Sequence, residues 1–442
     1  MVSIQNTAEK KSFLAGIRSS FFVNVASLGI LYLSQFILAR MMKVDQYGVY
    51  IYSKSWLSLL LLIGNLGLDA AVVRYLPQYV SRGEWGYCRG IIRRSYQITF
   101  PAGIILFLCA SAAVLAGRAH LTEENLTVSL LIGLVALPLW TAIKLTQGIL
   151  QAFKRPGFSQ FLDGVLSPAL LLAMLGVATA LNISISAITT MSAFALSCFI
   201  VVLFGTAWMR FRVLSLELIS AEAKYITREW LRFAVPMLLI VGTHVIMNNT
   251  DVIMIGMMMD TSQAGIYSAA ARLSSLVAVS LGFVNMAISP YIVEYFINER
   301  RVELQNFISM SVRIVALFAV PIFLLLMIFG KPALGLFGEE FKNGYLSMVI
   351  LIVGQLVNAL SGSVGYIMVM TGKQKQASIV FAISAALNII MNLILIPFFG
   401  IAGAAVATAV SLILWNVLLA VHIRNRLNLN STIFSGMKSV GM

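Results

Sequence analysis

The sequence predicts an all-α polytopic membrane protein, with twelve transmembrane helices in two six-helix bundles related by a pseudo-two-fold axis along the membrane normal. Three observations predict this fold class. First, 60% of the 442 residues are hydrophobic, only 11% are charged, and the mean hydropathy is +0.91. A soluble domain carries about 25% charged residues, so the composition excludes a water-soluble enzyme. Second, long segments contain no charged residue. Third, landmarks of the first half recur in the second.

The uncharged segments predict the number of membrane spans, because a helix needs about 20 apolar residues to cross a hydrocarbon core of roughly 30 Å. Residues 19–39 and 95–117 each fit one span, whereas residues 164–209 and 376–423 are each long enough for two. Polar residues near 182–186 and the break at Pro397–Gly400 would separate these pairs. The same reasoning over the whole chain predicts spans at residues 19–40, 50–76, 91–116, 126–152, 158–180, 185–209, 232–257, 264–296, 308–330, 344–370, 377–397 and 401–423.

An internal repeat predicts how these spans are grouped. Landmarks recur after about 220 residues, and the two long uncharged segments occupy the same place in each half. Because each half holds an even number of spans, the two copies have the same orientation, as in transporters built from parallel repeats. The recurring landmarks are Gly48–Tyr50 with Gly265–Tyr267, Pro101 with Pro321, and the turn at Lys154 with the turn at Lys373.

The repeat predicts an N-terminal bundle at residues 1–210, a cytoplasmic connection at 211–231 and a C-terminal bundle at 232–442. Basic residues predict the orientation, since they concentrate in cytoplasmic loops. On the predicted topology 23 of them lie on the side of both termini and five lie on the other. Both termini are therefore expected in the cytoplasm. The net charge of +14 is explained in this way, and we expect no nucleic-acid partner.

The segments outside the membrane are too short for a catalytic domain, since the longest polar one, 211–230, has about 20 residues. The sequence has no nucleotide-binding loop, no paired-cysteine metal motif and no zinc-protease motif. We therefore predict a protein that is not an enzyme and that has no cofactor or metal. Transport would be driven by an ion gradient, the membrane potential or the substrate gradient.

Charged residues inside the predicted spans are the candidate functional residues, because charges at this depth are costly and usually face a cavity or a partner. Counting 1.5 Å per residue from the helix ends places them in two tiers. The tier nearer the exterior holds Lys54, Asp251 and Arg272, and the tier nearer the cytoplasm holds Asp69, Arg74, Lys144 and Asp163.

Their possible pairings leave alternatives open. Asp69 and Arg74 are about 140° apart around one helix, so Asp69 needs another partner, for which Lys144 is the candidate. Asp251 and Arg272 lie at similar depth on consecutive antiparallel helices, and we expect them to interact as an ion pair or as a site for substrate or protons. Arg74 and Lys144 could instead extend to the cytoplasmic interface. The excess of buried cations favours an anionic ligand such as a diphosphate.

Short motifs in the first spans give the sequence a family resemblance. It resembles the bacterial polysaccharide flippases of the Wzx type, which belong to the multidrug/oligosaccharidyl-lipid/polysaccharide exporter superfamily. The motifs that carry this resemblance are Leu38–Arg40, Gln46–Tyr50 and Gly67–Pro77, together with the repeated Gly265–Tyr267 and the turn Thr371–Lys373.

The resemblance implies a multi-pass protein of the bacterial cytoplasmic (inner) membrane, with two bundles arranged as a V around a cationic central cavity. By alternating access it would move an undecaprenyl-diphosphate-linked oligosaccharide, used for surface polysaccharide such as O-antigen, to the outer leaflet. Lys54, Lys144 and Arg272 would be the cavity cations, with Arg74 a further candidate. Independently of the resemblance, Asp251, Asp69 and Asp163 are the candidates for ion coupling, to H⁺ or Na⁺, or for charge pairing.

Three other functions would require different residues or loops. A multidrug exporter of the same superfamily would use the membrane carboxylates Asp69, Asp163 and Asp251, and this is the main alternative. A polymerase or ligase acting on lipid-linked sugars would need a large external loop, which the predicted topology lacks. A major-facilitator carrier would carry a Gly-x-x-x-Asp-Arg pattern in the second connection, and residues 79–94 lack it.

Overall fold

A computed structural model describes residue 23 and residues 25–117 and 124–432 of the chain. Within these ranges the regular secondary structure is entirely helical. The chain divides into two compact units, Met1–Gly242 and Thr243–Met442. Residues 1–22 and 433–442, which belong to the termini predicted in the cytoplasm and to the start of the first predicted span, lie outside the described residues.

The helices are labelled here in chain order. Three of the connections contain short non-α segments, Leu162–Leu166, Leu276–Ala278 and Glu339–Gly344. The helices are α1 (Val25–Met41), α2 (Val44–Asn65), α3 (Leu68–Ser81), α4 (Trp85–Ala116), α5 (Glu124–Ala152), α6 (Pro156–Phe161), α7 (Ser167–Ala180), α8 (Ala187–Arg212), α9 (Leu216–Ser220), α10 (Thr227–Met258), α11 (Thr261–Ser275), α12 (Val279–Ile297), α13 (Arg301–Gly335), α14 (Tyr345–Ser361), α15 (Val364–Met370) and α16 (Gln374–Leu427).

Each of the twelve predicted spans coincides with helical structure in the described part of the chain. Eight helices are long and apolar enough to cross a membrane, and the bent pair α2 and α3 adds a ninth. The first predicted span corresponds to α1, the seventh to the apolar segment Val245–Met258 of α10, and the last two lie within α16. The prediction of an all-α, multi-span membrane protein is confirmed.

The second predicted span is bent by 44° between α2 and α3. Leu66 and Gly67 at the bend have left-handed backbone angles, with φ of 49° and 70°. A Cβ atom at Gly67 would overlap with the carbonyl oxygen of Ala234 at the start of α10. Only glycine combines this φ with so close a backbone approach. The bend therefore packs the first part of α10 against the first unit.

Helix α16 is a helical hairpin. Its 54 residues would extend about 80 Å as a straight helix, far more than a bilayer accommodates. Gly400 has non-helical angles (φ 58°, ψ −139°), and a Cβ atom at Gly403 would overlap with the carbonyl oxygen of Leu395. Two antiparallel arms, 374–399 and 401–427, are therefore joined at the break that the sequence placed at Pro397–Gly400.

The connection at 211–231 is packed against the ends of α3 and α4. The backbone N–H of Lys224 donates to the carbonyl oxygen of Gly86 (2.9 Å), and the indole of Trp230 donates to the hydroxyl of Tyr79 (3.0 Å). A Cβ atom at Gly90 would overlap with the carbonyl oxygen of Lys224. The connection, like α10 as far as Gly242, therefore belongs to the first unit.

We expect Gly90→Ala to destabilise the protein, because the added methyl group would force the α4 backbone away from Lys224. Overpacking of this kind costs about 1–3 kcal/mol. Thermal unfolding of the purified protein in detergent would measure the effect as a lower Tm. Gly117→Ala at the end of the same helix is the matched control, since nothing lies within 4 Å of its Cβ position. Equal melting temperatures for both variants would contradict the packing described here.

Candidate functional site

The first unit contains an ion pair between Lys144 of α5 and Asp163. The Nζ atom of Lys144 lies 2.6 Å from Oδ2 of Asp163, and the two side chains are 31% and 27% exposed. Asp163 lies in a single π-helical turn, Leu162–Leu166, between α6 and α7. Such turns insert one extra residue into a helix and often occur at functional sites. The sequence identified both residues as candidates but did not pair them.

Lys54 of α2 lies close to this ion pair, within electrostatic range of Asp163. Its Nζ atom is 5.0 Å from the ring centroid of Phe194 and 3.4 Å from the hydroxyl of Tyr50, to which it donates. Trp140 packs edge-on against Phe194, with ring centroids 5.4 Å apart. The ring faces attract the ammonium group without neutralising it. Lys54, Lys144 and Asp163, here called the lysine cluster, thus carry an excess positive charge.

Asp69 and Arg74 occupy different surroundings on α3. The Asp69 backbone lies against Gly148 of α5, where a Cβ atom would be 3.0 Å from the Asp69 carbonyl oxygen. Lys144 is one turn away on α5 and within electrostatic range of Asp69, but its ion pair is with Asp163. Arg74 is exposed, and its guanidinium lies 4.2 Å from the ring centroid of Phe233.

The second unit contains a buried carboxylate network around Asp251 of α10, which is 4% exposed. Tyr267 of α11 donates its hydroxyl hydrogen to Oδ2 of Asp251 (2.6 Å), and Asn392 donates to Oδ1 (2.7 Å). Thr408 donates a third hydrogen bond to Oδ2. Asn388 donates to the Thr408 hydroxyl at 3.1 Å and accepts from Asn392 at 3.2 Å. These five residues are called the Asp251 network.

The hairpin of α16 builds this network. Asn388 and Asn392 are one turn apart on its first arm, and Thr408 is on its second arm. In a straight helix Asn392 and Thr408 would be about 24 Å apart, so they could not bind one carboxylate. Three neutral donors around the buried carboxylate satisfy its lone pairs.

The predicted ion pair between Asp251 and Arg272 is wrong. In the described structure the partners of Asp251 are hydroxyl and amide groups, and no ion pair with Arg272 is formed. Tyr267 is the residue of α11 that faces Asp251, and Arg272, five residues later, is about 140° further around the helix. Asp251 and Arg272 were predicted at similar depth in the membrane, but Arg272 lies on a different face of α11 from the residue that contacts Asp251. Arg272 is half-buried, and its Nε atom has no hydrogen-bond partner among the described residues.

Sequence reasoning missed Tyr267, Asn388, Asn392 and Thr408 as site residues. Two asparagines at positions i and i+4 within an uncharged segment were a usable signal, because buried amides in a membrane seek partners. The repeat gave another signal. Tyr50 and Tyr267 end the two copies of the repeated tripeptide, and in the structure each contacts a charged side chain, Lys54 and Asp251 respectively.

Comparisons with known proteins show which family the chain resembles. The model of the family described as "Polysaccharide biosynthesis protein" matches residues 13–296, and the MatE model matches residues 236–394. Over 403 residues the chain is 25% identical to a probable low-salt glycan biosynthesis flippase, Agl15, of Haloferax volcanii; the match covers 88% of this chain and 79% of that one.

Two solved structures show the fold. One is a multidrug resistance MATE family transporter of the MOP superfamily in an inward-facing conformation, with a TM-score of 0.77 and 13% identity, covering 93% of this chain and 96% of that one. The other is a MOP superfamily transporter from Pyrococcus furiosus, described as having a binding pocket of reverse polarity. Its TM-score is 0.65 at 14% identity, with 94% and 95% of the two chains covered.

Proposed function

Because the chain belongs to the polysaccharide biosynthesis protein family, we propose that it is a flippase for a lipid-linked oligosaccharide. In the specific form of the proposal, the cargo is an undecaprenyl-diphosphate-linked oligosaccharide. It moves by alternating access from the cytoplasmic to the outer leaflet of a bacterial cytoplasmic membrane. The relative Agl15 is itself named a probable glycan biosynthesis flippase, which supports the class of cargo.

The observation that carries the proposal is the lysine cluster. Two lysines and one aspartate lie together inside the membrane-spanning part of the first unit. A single lysine at the centre of a membrane helix costs about 2.5–3.5 kcal/mol on insertion scales. A diphosphate offers several anionic oxygens to Lys54 and can compete with Asp163 for Lys144, so binding the head group would offset that cost.

Asp163 acts as the counter-ion of Lys144 in the proposed mechanism. In the absence of cargo it holds Lys144 in place through the 2.6 Å ion pair, so the cation is not left unpaired in the membrane. When the diphosphate arrives, Lys144 exchanges one anion for another. Arg74 of the first unit and Arg272 of the second unit are further candidate cations for the cargo, at positions separate from the lysine cluster. The polyprenyl tail would stay in lipid, and the sugars would form water-mediated contacts.

We assign ion coupling to the Asp251 network. Its carboxylate and the amide and hydroxyl oxygens of Asn388, Asn392 and Thr408 are hard ligands of the kind that bind Na⁺, and the carboxylate can also take a proton. The Oδ1 atom of Asn392 is buried without a hydrogen-bond partner among the described residues, which leaves an acceptor free for a cation. Asp69, within electrostatic range of Lys144, is assigned to charge pairing.

Deletion of the gene in its host would test the cargo class. We expect loss of surface polysaccharide and accumulation of the lipid-linked oligosaccharide in the cytoplasmic leaflet, measured by mass spectrometry of extracted lipid. A plasmid copy of the intact gene should reverse both effects. The multidrug alternative predicts the opposite pattern, in which deletion sensitises cells to cationic drugs and leaves surface polysaccharide unchanged.

A further inference from the structure

A second group of polar side chains lies in the same unit as the Asp251 network, on α14 and the second arm of α16. The amide of Asn416, which is fully buried, donates to Oδ1 of Asn358 (3.0 Å), and Asn358 donates to Oε1 of Gln355 (3.4 Å). Asn416 is eight residues from Thr408 along one helix, or about 12 Å. A second polar group thus lies about 12 Å from the network along α16.

Two serines bridge the interval between the groups. Asn388 contacts Thr408 across the antiparallel arms, so the next turn toward Asn416 places Ser384 of the first arm level with Ser411 of the second. Both serines are fully buried, at 0% exposure. Along α16, Ser411 is about 4.5 Å from the level of Thr408 and about 7.5 Å from the level of Asn416. Polar side chains therefore occur at successive levels between Asp251 and Asn416, and the Ser411 hydroxyl donates to the carbonyl oxygen of Ala407 (2.8 Å).

Several of these atoms have no protein partner. The Oγ atom of Ser384 and the Oδ1 atoms of Asn392 and Asn416 are buried and make no hydrogen bond to any described residue. Polar groups left unpaired in a membrane interior cost free energy, and ordered water commonly satisfies such groups. The amide nitrogen of Asn416 donates to Asn358 and to the carbonyl oxygen of Leu412 (2.8 Å), so the atoms left for water or a cation are oxygens.

The two ends of the group differ. Beyond Asn416 the interior closes with an apolar cluster that includes Leu419, Ile423 and Phe381. On α14, by contrast, Asn358 and Gln355 are only half-buried. The group is therefore closed along the axis of α16 and reaches the surface of its unit on the Gln355 face of α14.

We propose that these side chains form a hydrated path that carries the coupling cation, Na⁺ or a proton, between the Gln355 face of α14 and Asp251. The path runs through Asn358, Asn416 and the layer of Ser384 and Ser411. Its role as a cation path rests on the coupling function proposed above for the Asp251 network.

Thiol reactivity tests whether the path holds water. Asn416→Cys and Ser384→Cys would be treated in liposomes with a small hydrophilic thiosulfonate and followed by mass spectrometry, with the unaltered chain giving the background from its own three cysteines. Matched controls are Leu419→Cys, in the apolar cluster, and Val417→Cys, on an exposed apolar position. We expect both path variants to react at least about tenfold faster than either control, a difference of about 1.4 kcal/mol in activation free energy. Equal rates would overturn the proposal.

Cation flux tests what the path conducts. Asn416→Leu removes the amide at nearly constant size and leaves Asp251 untouched, so cation uptake should slow by about tenfold or more, while Asn416→Ser should retain part of the rate. Radiolabelled Na⁺ and a pH-sensitive dye inside the liposomes distinguish the two cations. A native rate for Asn416→Leu in both assays would overturn the path, as would loss of folding in Asn416→Leu together with a native rate in Asn416→Ser. Failure of the flippase proposal would be visible separately, as absence of cargo transport in the unaltered chain.

Discussion

Replacement of Lys144 with methionine should abolish transport, and restoring the local charge balance should not recover it. Lys144→Met leaves the Asp163 carboxylate unpaired inside the membrane, which costs about 3–5 kcal/mol for a buried pair and less at these partly exposed side chains. The double variant Lys144→Met with Asp163→Asn removes both charges and should regain stability. It would still lack a cation for the diphosphate, so its transport rate should stay at least about tenfold below native.

This double variant separates the two roles that an ion pair can have. If Lys144 and Asp163 only stabilise the fold, losing both should be nearly neutral, and transport should return with stability. Lys54 tests the same requirement for a cation, because in the described structure it forms no ion pair with a carboxylate. Lys54→Met should lose transport, whereas Lys54→Arg keeps the charge over the Phe194 ring and should retain part of it. Native transport in the double variant, at native protein levels in the membrane, would show that the ion pair is structural.

Asp251→Asn should uncouple transport from the ion gradient. Asparagine keeps the size of the side chain but can neither ionise nor take up a proton, and it binds Na⁺ more weakly than a carboxylate. Gradient-driven transport should fall by at least about tenfold, whereas exchange of cargo without a gradient should persist. The comparison requires purified protein in liposomes with and without an imposed gradient.

Asp260→Asn is the matched control for Asp251→Asn. Asp260 caps α11 through a hydrogen bond from the backbone N–H of Gln263 (2.8 Å), and asparagine caps helices equally well. This control should transport at the native rate in both assays. A gradient-driven rate in Asp251→Asn equal to that of Asp260→Asn would remove Asp251 from the coupling mechanism.

The sequence predicted the spans well because span prediction depends on a one-dimensional property. Every residue of a lipid-facing helix must tolerate hydrocarbon, so uncharged length alone marks where a helix crosses. The hairpin of α16 was also predictable, since its 48 uncharged residues exceed one span and contain Pro397 and Gly400. The left-handed bend at Gly67 was not, because it depends on how closely α10 approaches.

The site was predicted only in part, since pairing depends on which faces of the helices meet. The search for charged residues inside the predicted spans identified Lys144, Asp163 and Asp251 individually. Depth did not reveal that Lys144 pairs with Asp163 across a π-helical turn, or that Tyr267 rather than Arg272 faces Asp251. Neutral partners such as Asn392 carry no formal charge, so a search for ionisable residues passed over them. A search for amides one turn apart in uncharged segments would have found them.

Transport of an anionic lipid-linked oligosaccharide across the membrane by this chain can be measured directly. The most direct measurement uses purified protein in liposomes that carry undecaprenyl-diphosphate-linked oligosaccharide in both leaflets, with an ion gradient imposed and an impermeant glycosidase added outside. Without flipping, about half of the sugar stays protected in the inner leaflet. The account predicts that the intact chain exposes nearly all of it, whereas the double variant at Lys144 and Asp163 leaves it protected. Protection in liposomes with the intact chain equal to that in protein-free liposomes would contradict it.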